Sequence, residues 1–149
     1  ADFAGNRWTV NAVMMQTPGK SSHLLPVGSI MRLFRRYHGT HGAAVTGAPA
    51  ALDVAATVGI DSVLLHVLNT DFKSPVKAVL RVPGRRIAAG VVHEIAPAEA
   101  RADVDTQHPK TFEPVEKKLT VTPGAPVEWT FPARSVSAVI LTTLKEANA

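Results

Sequence analysis

Acidic side chains are the first candidates for catalysis, because general acid–base chemistry usually relies on carboxylates held at a fixed separation. The sequence has 12 Asp and Glu residues, and most fall in predicted turns or at outward-facing strand positions. Asp103 and Asp105 lie two residues apart in a polar loop, which lacks the dense ligand spacing of a calcium site. We therefore predict that the chain holds no catalytic carboxylate pair and that Asp103 and Asp105 face solvent.

Histidines give no stronger indication of a metal site. His38 and His41 flank Gly39 at the end of a predicted helix, and this spacing binds a metal only when a third ligand is present. The chain has no cysteine, so a favourable interaction with the helix C-terminus explains the two histidines better. His66 lies within an apolar strand and is predicted to be a hydrogen-bonded residue of the core or the outer face. The sequence predicts no metal and no cofactor.

The loop Ser21-Ser22-His23 places a serine beside a histidine. Adjacent residues rarely align as nucleophile and base, and no nucleophile-elbow glycines surround these three, so a catalytic serine is not predicted. The loop follows a predicted strand, however, and in a (β/α)8 barrel such loops form the catalytic face. We therefore predict that Ser21, Ser22 and His23 lie near a substrate in an intact protein.

The first 40 residues have the pattern of a strand, a loop and a helix. Residues 8–15 (WTVNAVMM) are apolar on both faces, which suits a strand buried in a parallel sheet. A helix is predicted over about residues 24–38, with Gly39 as its left-handed cap. This order is the repeat of a (β/α)8 barrel. The chain does not begin with Met, and we expect it to be part of a longer protein.

From about residue 40 onwards, short apolar runs alternate with turn residues. Strands at spacings of roughly 8–12 residues, with Gly and Pro between them, indicate a two-sheet β-sandwich. The alternation in residues 127–131 (VEWTF) predicts that Trp129 points into the core instead of stacking on a sugar. Residues 96–114 are predicted to cross over the sandwich as an extended connection. The predicted strands cover residues 43–46, 52–57, 63–69, 76–82, 87–95, 117–121, 127–131 and 135–144.

Charge and composition narrow the possible partners. The formal net charge is +4, and the aromatic residues are two Trp, one Tyr and five Phe. A nucleic-acid surface needs a denser basic stripe with aromatic rings between the charges, so no nucleic-acid partner is predicted. No apolar run approaches the roughly 20 residues that cross a bilayer, so no membrane partner is predicted either.

Seven segments, in this order, resemble the C-terminal region of glycoside hydrolase family 51, the α-L-arabinofuranosidases. The last segment has the pattern F-P-x-x-S-V, and the ordered set is more specific than any one piece. The segments are residues 9–13 (TVNAV), 25–27 (LPV), 32–37 with Gly39, 64–69 (LLHVLN), 75–76 (PV), 90–95 (GVVHEI) and 131–140 (FPARSVSAVI).

The resemblance implies a mainly β fold: a jelly-roll-like antiparallel β-sandwich at residues 41–149, preceded at residues 1–40 by the last βα unit of a glycosidase-like barrel. It implies that the barrel holds both catalytic glutamates and that the sandwich supports it. The parent enzyme would hydrolyse terminal α-L-arabinofuranosyl linkages with retention. The family usually has a glutamine that touches the sugar in the loop before the last barrel helix, whereas this chain has Lys20-Ser21-Ser22-His23.

Two other interpretations stay open at this point. A free-standing carbohydrate-binding or adhesion module would present two or three aromatic rings in a row on one face. A separate subunit would pair with a barrel encoded elsewhere. In the leading interpretation the partner is a catalytic barrel of the same or a processed parent chain, and the carbohydrate substrate is reached only through that parent. A strand that is apolar on both faces is normally covered on both sides, so a homo-oligomer formed through residues 8–37 is also predicted.

Overall fold

The computed structural model describes residues 22–145 and, nearer the N-terminus, the backbone pairing of three two-residue strands. The early strands are β1 (Asp2–Phe3), which pairs with β2 (Asn6–Arg7), and β3 (Val13–Met14), which pairs antiparallel with β4 (His23–Leu24). Most of the strand predicted over residues 8–15 therefore lies outside the described residues.

Helix α1 (Pro26–Arg36) follows β4 and lies within the predicted range of residues 24–38. Pro26 occupies the first turn, where its missing N–H removes no helical hydrogen bond. The basic residues Arg35 and Arg36 lie in the last turn and interact favourably with the helix dipole. The helix closes with a hydrogen bond of 3.2 Å from the Tyr37 N–H to the carbonyl oxygen of Leu33.

Gly39 does not act as the predicted left-handed cap. Positive φ values occur at other glycines but not at Gly39. The chain here runs so close to a neighbouring strand that an added Cβ would lie 2.4 Å from the carbonyl oxygen of Val58. The Gly39 N–H also donates to Oγ1 of Thr57 at 2.8 Å. Close packing, and not backbone conformation, therefore requires glycine at this position.

Residues 41–145 contain eight strands in two antiparallel sheets. Six strands form a sheet in the order β10-β9-β12-β7-β6-β5, and β11 pairs with β8 as a separate two-stranded ribbon. This arrangement confirms the predicted antiparallel β-sandwich after a βα start. The strands are β5 (His41–Ala43), β6 (Leu52–Val58), β7 (Ser62–Asn69), β8 (Val76–Leu80), β9 (Arg85–Ile95), β10 (Val115–Leu119), β11 (Val127–Phe131) and β12 (Val136–Lys145).

The β8–β11 ribbon packs across one face of the six-stranded sheet. Val139 and Leu141 of β12 are almost fully buried on this face and share a core cluster with Phe131 of β11 and Val67 of β7. Each such side chain contributes roughly 1.5–3 kcal/mol on burial. Because successive strand residues point to opposite faces, Ala138 lies on the other face of β12. There it packs with α1.

Residues 96–114 connect β9 to β10, which are neighbours in the same sheet. The prediction that this segment crosses over the sandwich is therefore wrong. The segment contributes to the helix side of the sheet instead, because Phe112 packs against the cluster formed by α1 and the sheet. The next residue in this segment, Glu113, accepts a hydrogen bond of 3.1 Å from Nη2 of Arg32 on the helix.

Candidate functional site

The predicted site residues lie immediately before α1. Ser22 is exposed, and His23 is half-buried in β4, three residues before the helix begins. Nδ1 of His23 is buried and has no hydrogen-bond partner among the described residues. Ser21 lies outside the described residues. The positions of Ser22 and His23 thus depend on how α1 is held, because the two residues and the helix are consecutive in the chain.

Two histidines of the sheet hold the C-terminal half of α1. His66 of β7 stacks on Phe34 with ring centroids 4.2 Å apart, and its Nε2 donates to the carbonyl oxygen of Tyr37 at 2.5 Å. His93 of β9 stacks on the Tyr37 ring at 4.1 Å. Stacked aromatic pairs contribute about 0.5–1.5 kcal/mol beyond their buried area. The prediction that His66 is a hydrogen-bonded residue is confirmed, and its role is to fix the helix on the sheet.

The charge of His93 depends on this packing. Burial lowers the pKa of His93 below its ordinary value, because the imidazolium form loses its hydration. The Glu116 carboxylate, 4.0 Å from Nε2, offsets part of this change, and the nearby Arg36 adds to the lowering. The neutral ring is therefore the form that stacks on Tyr37 at neutral pH.

The other face of α1 is exposed. Met31 is 60% exposed and Val27 is 38% exposed. Arg32 pairs with Glu113 at 3.1 Å, but both side chains are about half exposed, so this ion pair adds little stability. The helix is thus fixed to the sheet on one side and presents apolar and basic side chains on the other.

Among the described carboxylates, Glu94 of β9 departs most from the predicted outward position. Its side chain is 2% exposed, and Oε1 accepts a hydrogen bond of 2.5 Å from Nζ of Lys117. Oε2 is buried and has no partner among the described residues. Glu116 of β10 lies opposite His93, so its side chain points to the other face of the sheet. Glu94 and Glu116 therefore do not face a common site.

The loop carboxylates face solvent, as predicted. Asp103 and Asp105 are both exposed. Oδ1 of Asp105 accepts hydrogen bonds from the backbone N–H groups of His108 at 2.6 Å and Gln107 at 2.9 Å. These bonds, above all the one from His108, lower the pKa of the Asp105 carboxyl. The geometry is that of an Asx turn, which shapes the loop.

His38 interacts with the end of the helix, which confirms the prediction from the sequence. Its ring Nδ1 lies 2.9 Å from the carbonyl oxygen of Arg35 and donates to it. For His41 the prediction is wrong, because this residue lies on the edge strand β5, where its Nδ1 is 2.9 Å from Oγ1 of Thr40. Within the part of the chain that the structure describes, no group of three or more His, Cys, Asp or Glu side chains could hold a metal ion.

Aromatic side chains do not form an exposed row on the described surface. Trp129 is half-buried and packs against the core, as predicted, with its Nε1 buried and without a described partner. Tyr37 stacks on His93, whereas Phe72 at the β7–β8 turn is 67% exposed. Trp8 lies outside the described residues. A sugar-binding platform of stacked aromatic rings is therefore not formed by these residues.

Asn69 joins the two sheets, a role that its strand pattern does not indicate. Asn69 ends β7 and is 4% exposed. Its Nδ2 donates to the carbonyl oxygens of Phe131 and Ser74 at 3.1 Å and of Pro132 at 3.0 Å. From the sequence, only a turn at Asn69, Thr70 and Asp71 can be predicted. The fully hydrogen-bonded side chain links β7 to the end of β11 in the ribbon.

No helix within residues 22–145 is long and apolar enough to span a bilayer. No protein-family model matches the sequence, and no curated protein was found to be similar to it.

Solved structures, in contrast, share the fold. The family 51 α-L-arabinofuranosidase of Thermotoga petrophila RKU-1 matches with a TM-score of 0.70 and 20% identity, over 87% of this chain and 31% of that one. The arabinose-bound family 51 enzyme MgGH51 matches with a TM-score of 0.73 and 18% identity, over 94% and 22%. CelM2, a bifunctional glucanase-xylanase from a metagenome library, matches with a TM-score of 0.61 and 17% identity, over 80% and 22%.

The first two matches confirm the resemblance to family 51 arabinofuranosidases at the level of the fold. The chain spans less than a third of the length of the solved structures that it matches. The fold described above is therefore also found as part of larger enzymes.

Proposed function

We propose that this chain is the non-catalytic β-sandwich portion of an α-L-arabinofuranosidase-like glycoside hydrolase. The observation that carries the proposal is the shared fold, which extends over 87% of this chain but 31% of a family 51 α-L-arabinofuranosidase. In this proposal residues 1–40 are the last βα unit of the catalytic barrel, and residues 41–149 are the C-terminal sandwich.

The contacts of α1 supply a physical basis for a supporting role. The helix packs on the sheet through Leu33, and the stacked pairs Phe34–His66 and Tyr37–His93 fix its C-terminal half. Ser22 and His23 immediately precede this helix. The sandwich would therefore hold the last barrel helix, and with it a loop that approaches the substrate.

The reaction would take place in the barrel of the parent. Hydrolysis with retention requires two carboxyl groups about 5–5.5 Å apart, one as nucleophile and one as acid and base. In this chain Glu94 is engaged by Lys117, and Glu116 points to the opposite face of the sheet. The catalytic pair is therefore assigned to the parent barrel, which hydrolyses terminal α-L-arabinofuranosyl linkages.

The genomic sequence upstream of Ala1 tests this proposal. We expect an open reading frame that encodes a (β/α)8 barrel with an Asn-Glu pair and a later Glu at strand ends. The complete protein should cleave an aryl α-L-arabinofuranoside and release arabinose with the anomeric configuration retained, as proton NMR would show. A complete protein that cleaves xylan or glucan but not the arabinofuranoside would contradict the substrate and leave the supporting role intact. A frame without a barrel, with no barrel chain encoded nearby, would contradict the proposal as a whole.

A further inference from the structure

Helix α1 runs towards the end of the sandwich at which β7 and β9 stop. Its C-terminal half stacks on His66 and His93, which lie opposite the same residue of β12. Arg32, nearer the start of the helix, reaches Glu113 in the connection beyond the end of β9. Residues 22–23, which immediately precede the helix, therefore lie on the side of this end.

The turn that joins β7 to β8 lies at the same end of the sandwich and presents an aromatic ring. Phe72 in this turn is 67% exposed. A single exposed apolar side chain is ordinary on a protein surface. Phe72 is distinguished by the turn that carries it, which is held by hydrogen bonds from both of its ends and from a neighbouring turn.

Asp71 and Asn69 fix the backbone on both sides of Phe72. Oδ1 of Asp71 accepts hydrogen bonds from the backbone N–H groups of Lys73 at 2.8 Å and Ser74 at 2.9 Å. The Asp71 N–H donates to Oδ1 of the buried Asn69 at 3.0 Å. A side chain on such a fixed turn loses little backbone freedom when a ligand binds to it.

Arg134, in the neighbouring turn between β11 and β12, holds the Phe72 turn from a second side. Its backbone N–H donates to the carbonyl oxygen of Asp71 at 3.0 Å. Its guanidinium donates to the carbonyl oxygen of Phe72 through Nη1 and to that of Ala98 through Nη2 at 3.0 Å. Arg134 adopts a left-handed conformation with φ of 56°, which is uncommon for a residue other than glycine. These bonds join three connections of the sandwich beneath the Phe72 ring.

The surroundings of the ring indicate the kind of ligand that fits it. Thr70, Lys73 and Ser74, its near neighbours in the chain, are all exposed and polar. The centre of a protein–protein interface is depleted of charged residues. Sugar sites, in contrast, combine an apolar or aromatic face with polar groups that can bind hydroxyls. A ring that stands among polar side chains therefore suits a sugar better than a protein surface.

We propose that Phe72 stacks on a sugar ring of the polysaccharide substrate, at a distance from the bond that is cleaved. The choice of a polysaccharide rests on the proposed function, in which residues 22–23 lie at the catalytic face of the barrel. The Phe72 turn lies at the same end of the molecule as these residues. One ring on a fixed turn holds one sugar unit, so this contact differs from the row of rings in a free-standing binding module. It gives the sandwich a part in holding polymeric substrates.

Affinity electrophoresis of the full chain through gels that contain arabinan or arabinoxylan tests this proposal. We expect the polysaccharide to retard the wild type, and Phe72→Ala to weaken binding about three- to tenfold, the range that a stacked ring contributes. Phe72→Trp keeps a flat apolar face and should bind at least as tightly as the wild type. The thermal midpoint of Phe72→Ala should equal that of the wild type, because the ring is exposed.

Ile60→Ala is the matched control, because Ile60 is a 90% exposed apolar residue in the β6–β7 turn, at the opposite end of the sandwich. It should leave the retardation unchanged. The proposal would be overturned if no polysaccharide retards the wild type, or if Ile60→Ala weakens binding as much as Phe72→Ala.

The complete protein separates this contact from packing of Phe72 on the barrel. Phe72→Ala should lower its turnover of the polymer and leave its turnover of an aryl α-L-arabinofuranoside and its thermal midpoint unchanged. Equal losses on both substrates, or a lower thermal midpoint, would overturn the proposal. Absent retardation beside intact hydrolysis would refute this contact alone. Retardation that depends on Phe72, in a complete protein that cleaves no arabinofuranoside, would support the contact and refute the proposed function.

Discussion

Single polar residues inside the sandwich make contacts that their strand pattern does not reveal. Glu94 is buried in β9 and paired with Lys117, because an isolated carboxylate at that depth would lose its hydration without compensation. The segment Val91-Val92-His93-Glu94-Ile95 is covered by the ribbon on one face and by α1 on the other. Alternation of polar and apolar residues therefore could not assign a face to Glu94. Its partner Lys117 lies on β10, and the pairing of β10 with β9 depends on contacts between distant residues.

Gly39 is a second residue whose contacts cannot be predicted from the sequence pattern. The sequence correctly places a glycine just after a helix, but the close approach to Val58 depends on tertiary packing. We predict that Gly39→Ala lowers the free energy of unfolding by about 1–3 kcal/mol, because its Cβ would meet backbone atoms of Val58 that cannot move aside.

Gly42→Ala is the matched control for this prediction, because nothing lies within 4 Å of a Cβ added at Gly42. Its free energy of unfolding should change by less than about 1 kcal/mol. Urea denaturation of both variants measures the two values. Equal effects would show that Gly39 is not in close contact with β6.

The lowered pKa of His93 makes the free energy of unfolding depend on pH. Its folded-state pKa lies below the ordinary histidine value of about 6.5, so the unfolded chain binds more protons between the two pKa values. The free energy of unfolding therefore rises with pH through this window. The stabilisation is present above about pH 6.5 and is lost as the pH falls towards the folded-state pKa.

Urea denaturation of the wild type and His93→Gln across pH 5–8 measures this contribution. The variant should lose part of the slope below about pH 6.5, and its difference from the wild type at pH 8 gives the packing cost of the substitution alone. Identical slopes in the two proteins would show that His93 is not desolvated beneath Tyr37.

At the scale of elements, α1 is the connection between the two predicted parts of the chain. Ile30, Leu33 and Phe34 recur at helical spacing and form an apolar stripe, which packs on the outer face of the six-stranded sheet. The spacing could not show which member of the stripe is most buried. Leu33 is 2% exposed, whereas Phe34 is only half-buried beside His66.

We therefore expect Leu33→Ala to lower the free energy of unfolding by about 2–5 kcal/mol, since it leaves a cavity between α1, Ile95 and Ala138. Met31→Ala on the exposed face of the same helix is the control and should change it by less than about 0.5 kcal/mol. Urea denaturation followed by far-UV circular dichroism measures both. A cost below about 1 kcal/mol for Leu33→Ala would mean that the helix is not docked in solution.

Strand positions were predicted well, but strand partners were not. The VEWTF segment forms β11 over the predicted residues, because both of its ends coincide with turn residues. Its pairing with β8, apart from the larger sheet, depends on contacts between distant residues. The connection over residues 96–114 was wrongly assigned for the same reason, since its length alone does not exclude a return to a neighbouring strand.

At the scale of the whole molecule, association through residues 8–37 stays a prediction. Val27 and Met31 on the outer face of α1 are exposed, and such apolar side chains favour a partner. We expect multi-angle light scattering to show a mass above that of the 15.8 kDa monomer. Met31→Lys should shift the distribution towards monomer if α1 forms the contact. A strictly monomeric wild type at all concentrations would contradict the prediction.

We propose that this chain supports a catalytic barrel and performs no hydrolysis itself. A comparison of the turnover of an aryl α-L-arabinofuranoside by the purified chain and by the complete protein, encoded by the extended reading frame, tests this proposal. We predict turnover by the complete protein and none by the chain alone. Turnover by the chain alone that is abolished in Glu94→Gln would contradict the claim, because the active site would then lie within the sandwich.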